Sequence, residues 1–171
     1  MNGGGGAANG CDDLVIGLGN PLRGDDGIGW WLARQARRLG AGGASGRGAR
    51  EGPRVRLVPQ LTPELALEVA AARRLLVVDA WCLGGAEAQP VLRPLQAGGA
   101  EVGVAGGHGL DPAALLALAG LFGADPPPAW LLLVPAFAFP HGSAWSLELG
   151  RQLPAAQGLL RRWLAAERPD A

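Results

Sequence analysis

Three side chains that could bind a divalent metal ion follow three separate apolar segments of this chain. Asp26 stands in the glycine-rich turn after LVIGL, Asp79 ends the apolar segment LLVVD, and His108 lies in the loop AGGHGL. Carboxylates and an imidazole form a mixed oxygen and nitrogen ligand set, which suits nickel, zinc or cobalt. The residue types therefore predict a divalent-metal site assembled from distant parts of the chain.

Each of these residues also has a structural interpretation. The neighbouring acid Asp25 is predicted to be the N-cap of the first helix. Asp26 would then lie in the first turn, where the helix dipole favours an anion by roughly 0.3–1 kcal/mol. His108 could be a loop or capping residue. Asp79 is harder to explain in this way, because an unpaired carboxylate at the end of a buried strand is costly.

Short apolar segments bounded by turn residues predict strands that are buried on both faces. They cover residues 14–18, 55–59, 75–79, 91–95 (the weakest) and 130–135. Cap signals predict helices over 62–73, 111–122 and 146–166, beginning at Thr62, Asp111 and Ser146. A helix after the first turn should bury one face, formed by Ile28, Trp31, Leu32, Gln35 and Leu39.

The alternation of strands and helices predicts a three-layer α/β/α sandwich with a mainly parallel sheet of about five strands. Ligands of such folds bind beyond the carboxyl ends of the strands. Asp26 follows the first predicted strand, Asp79 ends the strand predicted over 75–79, and His108 lies in the loop before the helix predicted to begin at residue 111. The expected fold therefore brings all three to the edge of the sheet where a ligand would bind.

Composition limits the class of protein. The 171 residues predict one domain over 13–168, with a disordered tail over 1–12 and a flexible glycine-rich insertion over 40–53. A formal net charge of zero argues against nucleic acid as a partner, and the apolar runs are too short to span a membrane. Two distant cysteines and the absence of a signal-peptide pattern favour a reducing cytoplasm.

Other polar residues have less specific interpretations. Cys82 could be a nucleophile or a soft ligand, but a small core residue is the simpler interpretation. His141 is predicted to lie in a surface turn that could border the site. Arg23 could pair with Asp25 or bind a substrate carboxylate. The arginine pairs, such as Arg73-Arg74, are predicted to be solvated helix ends or faces.

Four motifs, in order, resemble those of the hydrogenase maturation endopeptidases: GLGNPLRGDDGIG, QLTPEL, VVDA and GHGLDPAALLALA. The resemblance covers residues 14–165 and implies an enzyme that removes a C-terminal extension from the large subunit of nickel-iron hydrogenase. It places the residues that contact nickel at Asp26, Asp79 and His108. Nickel would arrive with the precursor, so that processing depends on metal loading. The family fold is a sheet with helices on both faces.

The chain departs from the family pattern in two places, and two other functions compete. Asp26 stands where some relatives have the longer Glu, and HGSAWSLEL matches the family weakly after the last strand. A non-catalytic, metal-sensing module for a hydrogenase subunit would use the same ligands. A peptidyl-tRNA hydrolase would share VIGLGNP, but Leu22 follows that motif and the chain contains no tyrosine.

Overall fold

A mainly parallel sheet forms the centre of the computed structural model, which describes residues 12–41, 52–82, 87–99, 110–122 and 125–166. Its strands in the described residues are β1 (Leu14–Leu18), β2 (Arg54–Val58), β3 (Leu75–Trp81), β4 (Val91–Leu95) and β5 (Ala129–Pro135). They lie in the order β2-β1-β3-β5-β4, and β4 alone runs antiparallel to its neighbour. The predicted five-stranded, mainly parallel sheet is confirmed.

Helices cover both faces of this sheet. A short 3₁₀ helix, Gly24–Gly27, leads into α1 (Ile28–Ala41); the other helices are α2 (Leu65–Ala70), α3 (Pro112–Ala119) and α4 (Leu147–Ala165). Side chains from α1 and α4 form the core on one face, and side chains from α2 and α3 form the core on the other. The predicted three-layer α/β/α sandwich is therefore correct.

The apolar segments form central strands because neighbouring residues of a strand face opposite layers. In β1, Ile16 packs into the core with α2 and α3, whereas Val15 packs into the core with α1 and α4. All five residues of β1 are buried. A strand with helices on both faces thus needs apolar residues at successive positions, which is the pattern of its sequence.

The inward face of α1 is made of smaller residues than predicted. Ile28 and Leu32 are buried as expected, but Leu39 is exposed and Ala33 and Ala36 complete the buried face. The reason is the close approach of α1 to β1: a side chain at Gly17 would collide with the backbone of α1 and with the methyl group of Ala33.

Local cap signals predicted two of the three later helices. The Asp111 carboxylate accepts hydrogen bonds from the Ala113 and Ala114 amides at the start of α3, and Ser146 caps α4. The prediction for 62–73 is wrong at both ends, because α2 covers only Leu65–Ala70 and lacks a side-chain N-cap. It ends early because the Arg73 amide already bonds to the Asp12 carbonyl, beside the entry to β3.

One member of the arginine pairs is buried rather than solvated. Arg74 is 1% exposed and forms an ion pair of 2.9 Å with Asp13. Its guanidinium also donates to the Trp163 carbonyl at 3.0 Å and lies 4.2 Å from the centre of that indole ring. The predicted solvated position is therefore wrong for Arg74, whereas Arg37 and Arg161 are exposed.

Two predictions concern segments that the structure largely does not describe. The tail over 1–12 and the insertion over 40–53 fall mostly outside the described residues and stay predictions. Of the helices that are described, none has the length and apolar character needed to cross a membrane.

Candidate functional site

Asp79 lies near the carboxyl end of β3, the central strand of the described sheet. This strand continues to Trp81 and so ends two residues later than predicted. It is 7% exposed, and its Oδ1 accepts a hydrogen bond of 2.8 Å from the Ala80 amide. Burial raises the pKa of Asp79 to about 6, the amide hydrogen bond opposes that shift, and the negative charge of Asp26 adds to it. Asp79 is therefore a buried carboxylate whose charge lacks full compensation.

Asp26 is the second carboxylate of the site. It lies in the 3₁₀ helix, with its side chain 17% exposed, and its Oδ2 accepts a hydrogen bond of 3.0 Å from the Asn20 amide. The 3₁₀ helix packs against β3, so Asp26 and Asp79 belong to adjoining elements, and the negative charge of Asp26 helps to raise the pKa of Asp79. Their role as metal ligands stays a prediction.

Glycines allow the turn that carries Asp26 to lie close to the strand ends. Gly19 has a φ of +113°, which disfavours other residues, and a side chain there would overlap the backbone carbonyl of Asp26. A side chain at Gly29 would meet the carbonyls of Leu18 and Val78. The glycines in GLGNPLRGDDGIG thus bring Asp26 beside the end of β3, where Asp79 lies.

Asp25 does not cap the first helix, so that prediction is wrong. It is fully buried, and its carboxylate accepts four hydrogen bonds, from the Phe137, Ala138 and Ser146 amides and from the Ser146 hydroxyl. The 3₁₀ helix begins at Gly24, with Arg23 in the capping position and without a side-chain cap. The two adjacent acids therefore have different partners: Asp25 bonds to the loop after β5, and Asp26 bonds to the turn after β1.

Arg23 lies at the outer side of this turn. Its guanidinium is 3.8 Å from Asp26 and 5.9 Å from the centre of the Phe139 ring, and its side chain is 45% exposed. The structure therefore pairs Arg23 with Asp26 and leaves Asp25 to the amides of the loop. The binding of a substrate carboxylate by Arg23 stays a prediction.

The remaining predicted site residues have different outcomes. His108 lies outside the described residues. Within the part of the chain that the structure does describe, no three His, Cys, Asp or Glu residues are grouped to hold a metal ion. Cys82 is an exposed free thiol, so its interpretation as a core residue is wrong. His141 lies in an exposed turn, as predicted.

The loop that follows β5, residues 136–146, is a part of the site region that the sequence indicated only through His141, as a possible border. The Gly142 amide donates to the Leu22 carbonyl at 2.9 Å, and Phe139 lies beside Arg23. This loop therefore runs against the turn that carries Asp26. The segment FPHGS shows turn residues but no sign of what they contact.

Comparison with known proteins finds likeness in structure alone. Neither a protein-family model nor a curated protein sequence matches the chain. The NiFe hydrogenase maturation protease HycI from Thermococcus kodakarensis is 17% identical, with a TM-score of 0.60 over 88% of this chain and 90% of that protein. The hydrogenase 2 maturation peptidase from a Thaumarchaeota archaeon is 20% identical, with a TM-score of 0.58 over 91% and 99%.

A bacterial structure gives the same result. The hydrogenase maturating endopeptidase HybD from E. coli is 17% identical, with a TM-score of 0.57 over 90% of each chain. At such identities the likeness shows a shared fold. The chain therefore has the fold of the hydrogenase maturation proteases, which is the fold that its four motifs implied.

Proposed function

We propose that this protein is an endopeptidase that removes the C-terminal extension of a nickel-iron hydrogenase large-subunit precursor after nickel insertion. The observation that carries the proposal is the packing of the 3₁₀ helix, which carries Asp26, against β3, which carries Asp79. The shared fold and the four motifs support it.

The two acids suit the recognition of a cation. Asp79 is almost fully buried, and the negative charge of Asp26 acts on it unfavourably. A bound cation would replace this repulsion with attraction and would offset the burial of charge. The oxygen donors of Asp26 and Asp79, with an imidazole nitrogen from His108, would give the mixed ligand set expected for nickel.

In this proposal nickel belongs to the precursor and is not a resident cofactor. Asp26, Asp79 and His108 would contact it only when a loaded precursor docks, which makes cleavage conditional on metal insertion. Hydrolysis would then use a water molecule, either with a metal-polarised peptide carbonyl or with a carboxylate as the general base. Both routes require an ionised carboxylate in the site.

The cellular setting forms part of the proposal. We place the protein in the cytoplasm, with the precursor as its macromolecular partner and without nucleic acid or membrane. The free thiol of Cys82 is consistent with a reducing compartment.

Mass spectrometry of a nickel-loaded precursor, before and after incubation with this protein, tests the proposal. A nickel-free precursor is the control. We expect a C-terminal peptide to be lost from the loaded form alone. A loaded precursor that binds the protein but stays intact would contradict the proposal and favour a non-catalytic, metal-sensing module. Equal cleavage of both forms would contradict the dependence on nickel.

A further inference from the structure

We infer that Asp25 is a positioning residue, which holds the loop over residues 136–146 against the turn that carries Asp26. The loop would then form one wall of the substrate-binding site before the precursor docks. This inference rests on the proposed function and adds to it a segment that contacts the substrate and a buried residue that positions this segment.

Asp25 joins both ends of the loop through one carboxylate. At the start of the loop, the amides of Phe137 and Ala138 donate to Oδ2 at 2.9 and 3.0 Å. At its end, the Ser146 amide donates to Oδ1 and the Ser146 hydroxyl donates to Oδ2, both at 2.7 Å. The Asp25 amide also donates to the Ala138 carbonyl at 2.9 Å. The loop is thus closed onto the 3₁₀ helix at both ends.

Ser146 connects this arrangement to the rigid part of the fold. Its hydroxyl group donates to Asp25, and the oxygen of that group accepts a hydrogen bond of 3.0 Å from the Leu149 amide, in the first turn of α4. Asp25 is therefore tied to the start of a long helix that packs in the core. A change at Asp25 should loosen the loop without removing that helix from the sheet.

The middle of the loop lies next to the proposed site. The Gly142 amide donates to the Leu22 carbonyl, in the turn before Asp26. The Phe139 ring lies beside Arg23, whose guanidinium is 3.8 Å from Asp26. Contacts therefore run from the loop through Arg23 to the carboxylate that is proposed to contact nickel.

The chemistry of Asp25 indicates positioning and not only burial. A carboxylate accepts hydrogen bonds without donating any, and the four donors that surround Asp25 match that property. An asparagine has nearly the same shape, but an NH₂ group replaces one of the two carboxylate oxygens. This NH₂ group cannot accept the hydrogen bonds that the replaced oxygen accepts. Because Asp25 directly precedes Asp26, a shift of the first displaces the second, and small displacements at a reacting site have large effects on rate.

The test compares wild-type protein with Asp25→Asn in hydrogen exchange and in processing. We expect the amides of Phe137, Ala138 and Ser146 to exchange about tenfold faster or more, while β3 amides such as that of Val77 keep their protection. With nickel-loaded precursor we expect kcat/KM to fall about tenfold or more, mainly through KM, because the loop would no longer be preformed.

Two further variants separate positioning from general stability. Leu160→Ala removes a buried α4 side chain far from the loop in sequence. We expect this variant to have a lower melting temperature, while its hydrogen exchange in the loop and its KM stay as in wild type. Ser146→Ala should reproduce the effects of Asp25→Asn, and Ser146→Thr, which keeps the hydroxyl, should restore both readouts.

The inference would be overturned if folded Asp25→Asn showed the same loop exchange rates and the same KM as wild type. It would also be overturned if Leu160→Ala changed KM as much as Asp25→Asn does. The exchange rates need no precursor. Failure of wild-type protein to cleave a bound, loaded precursor would therefore count against the proposed function, while the exchange rates alone would decide whether Asp25 holds the loop.

Discussion

The two ends of the central strands bury charge in opposite ways. At the amino ends of β1 and β3, Asp13 and Arg74 are oppositely charged, lie 2.9 Å apart and have side chains that are each 2% exposed. At the carboxyl ends, Asp79 is buried, and the negative charge of a second acid, Asp26, helps to raise its pKa.

We interpret this difference as one between a stabilising arrangement and a functional one. The Arg74 guanidinium also donates to the Trp163 carbonyl and packs on the indole ring of that residue. The surroundings of Asp79 are unfavourable to its charge, because burial and the like charge of Asp26 both raise its pKa. Strongly shifted carboxyl groups at strand ends are typical of functional sites. We therefore propose that one edge of the sheet contributes to stability and the other to recognition.

Breaking the amino-terminal pair should have the largest effect on stability. We expect Asp13→Asn to lower the free energy of unfolding by about 3–5 kcal/mol, because Arg74 would keep a buried charge without its carboxylate partner. Denaturant unfolding measures this. Asp12→Asn, one position earlier and only partly buried, is the control and should change stability by less than about 0.5 kcal/mol. Equal effects of the two variants would remove the distinction between the two edges.

The matching change at the carboxyl edge should have the opposite sign. Asp79→Asn removes a buried charge that Asp26 repels, and it keeps a side-chain oxygen for the Ala80 amide. We expect the variant to be more stable than wild type at pH 7.5 by roughly 1–3 kcal/mol, since each unit of pKa shift corresponds to about 1.4 kcal/mol. A loss of stability of similar size would show that Asp79 has a structural role.

The gain from Asp79→Asn should depend on pH. Burial raises the pKa of Asp79 from 3.8 to about 6, so the folded protein binds a proton more readily than the unfolded chain. The stability of wild type relative to the variant is then greatest below pH 3.8 and is lost as the pH rises through about 6. Unfolding of both proteins between pH 3.5 and 8, chosen to span roughly these values, should show the difference growing with pH; a constant difference would contradict this assignment.

Much of the fold could be predicted from local patterns. Short apolar segments located every strand of the described sheet, although the prediction of burial on both faces is wrong for the edge strands β2 and β4, which are partly exposed. Asp111 and Ser146 marked helix starts because a cap acts within three residues of itself. Asp26 and Asp79 could be placed at one edge because parallel strands bring their carboxyl ends together.

The errors arise where partners are distant in sequence. Asp25 bonds to residues 112 to 121 positions away, and Arg74 pairs with a residue 61 positions away. No local pattern contains those partners, so both side chains were given solvent or helix-end roles. For the same reason, the sequence indicated a possible border of the site at His141 but not the contacts of the loop over 136–146 with Leu22 and Asp25.

The most direct test of this account compares Asp79→Asn with Asp13→Asn in processing of the nickel-loaded precursor, at a temperature where both variants are folded. Mass spectrometry would follow the loss of the C-terminal peptide. The account predicts that Asp79→Asn, the more stable protein, leaves the precursor intact, while the less stable Asp13→Asn cleaves it at nearly the wild-type rate. Normal cleavage by Asp79→Asn would contradict the assignment of the carboxyl edge as the site of recognition and catalysis.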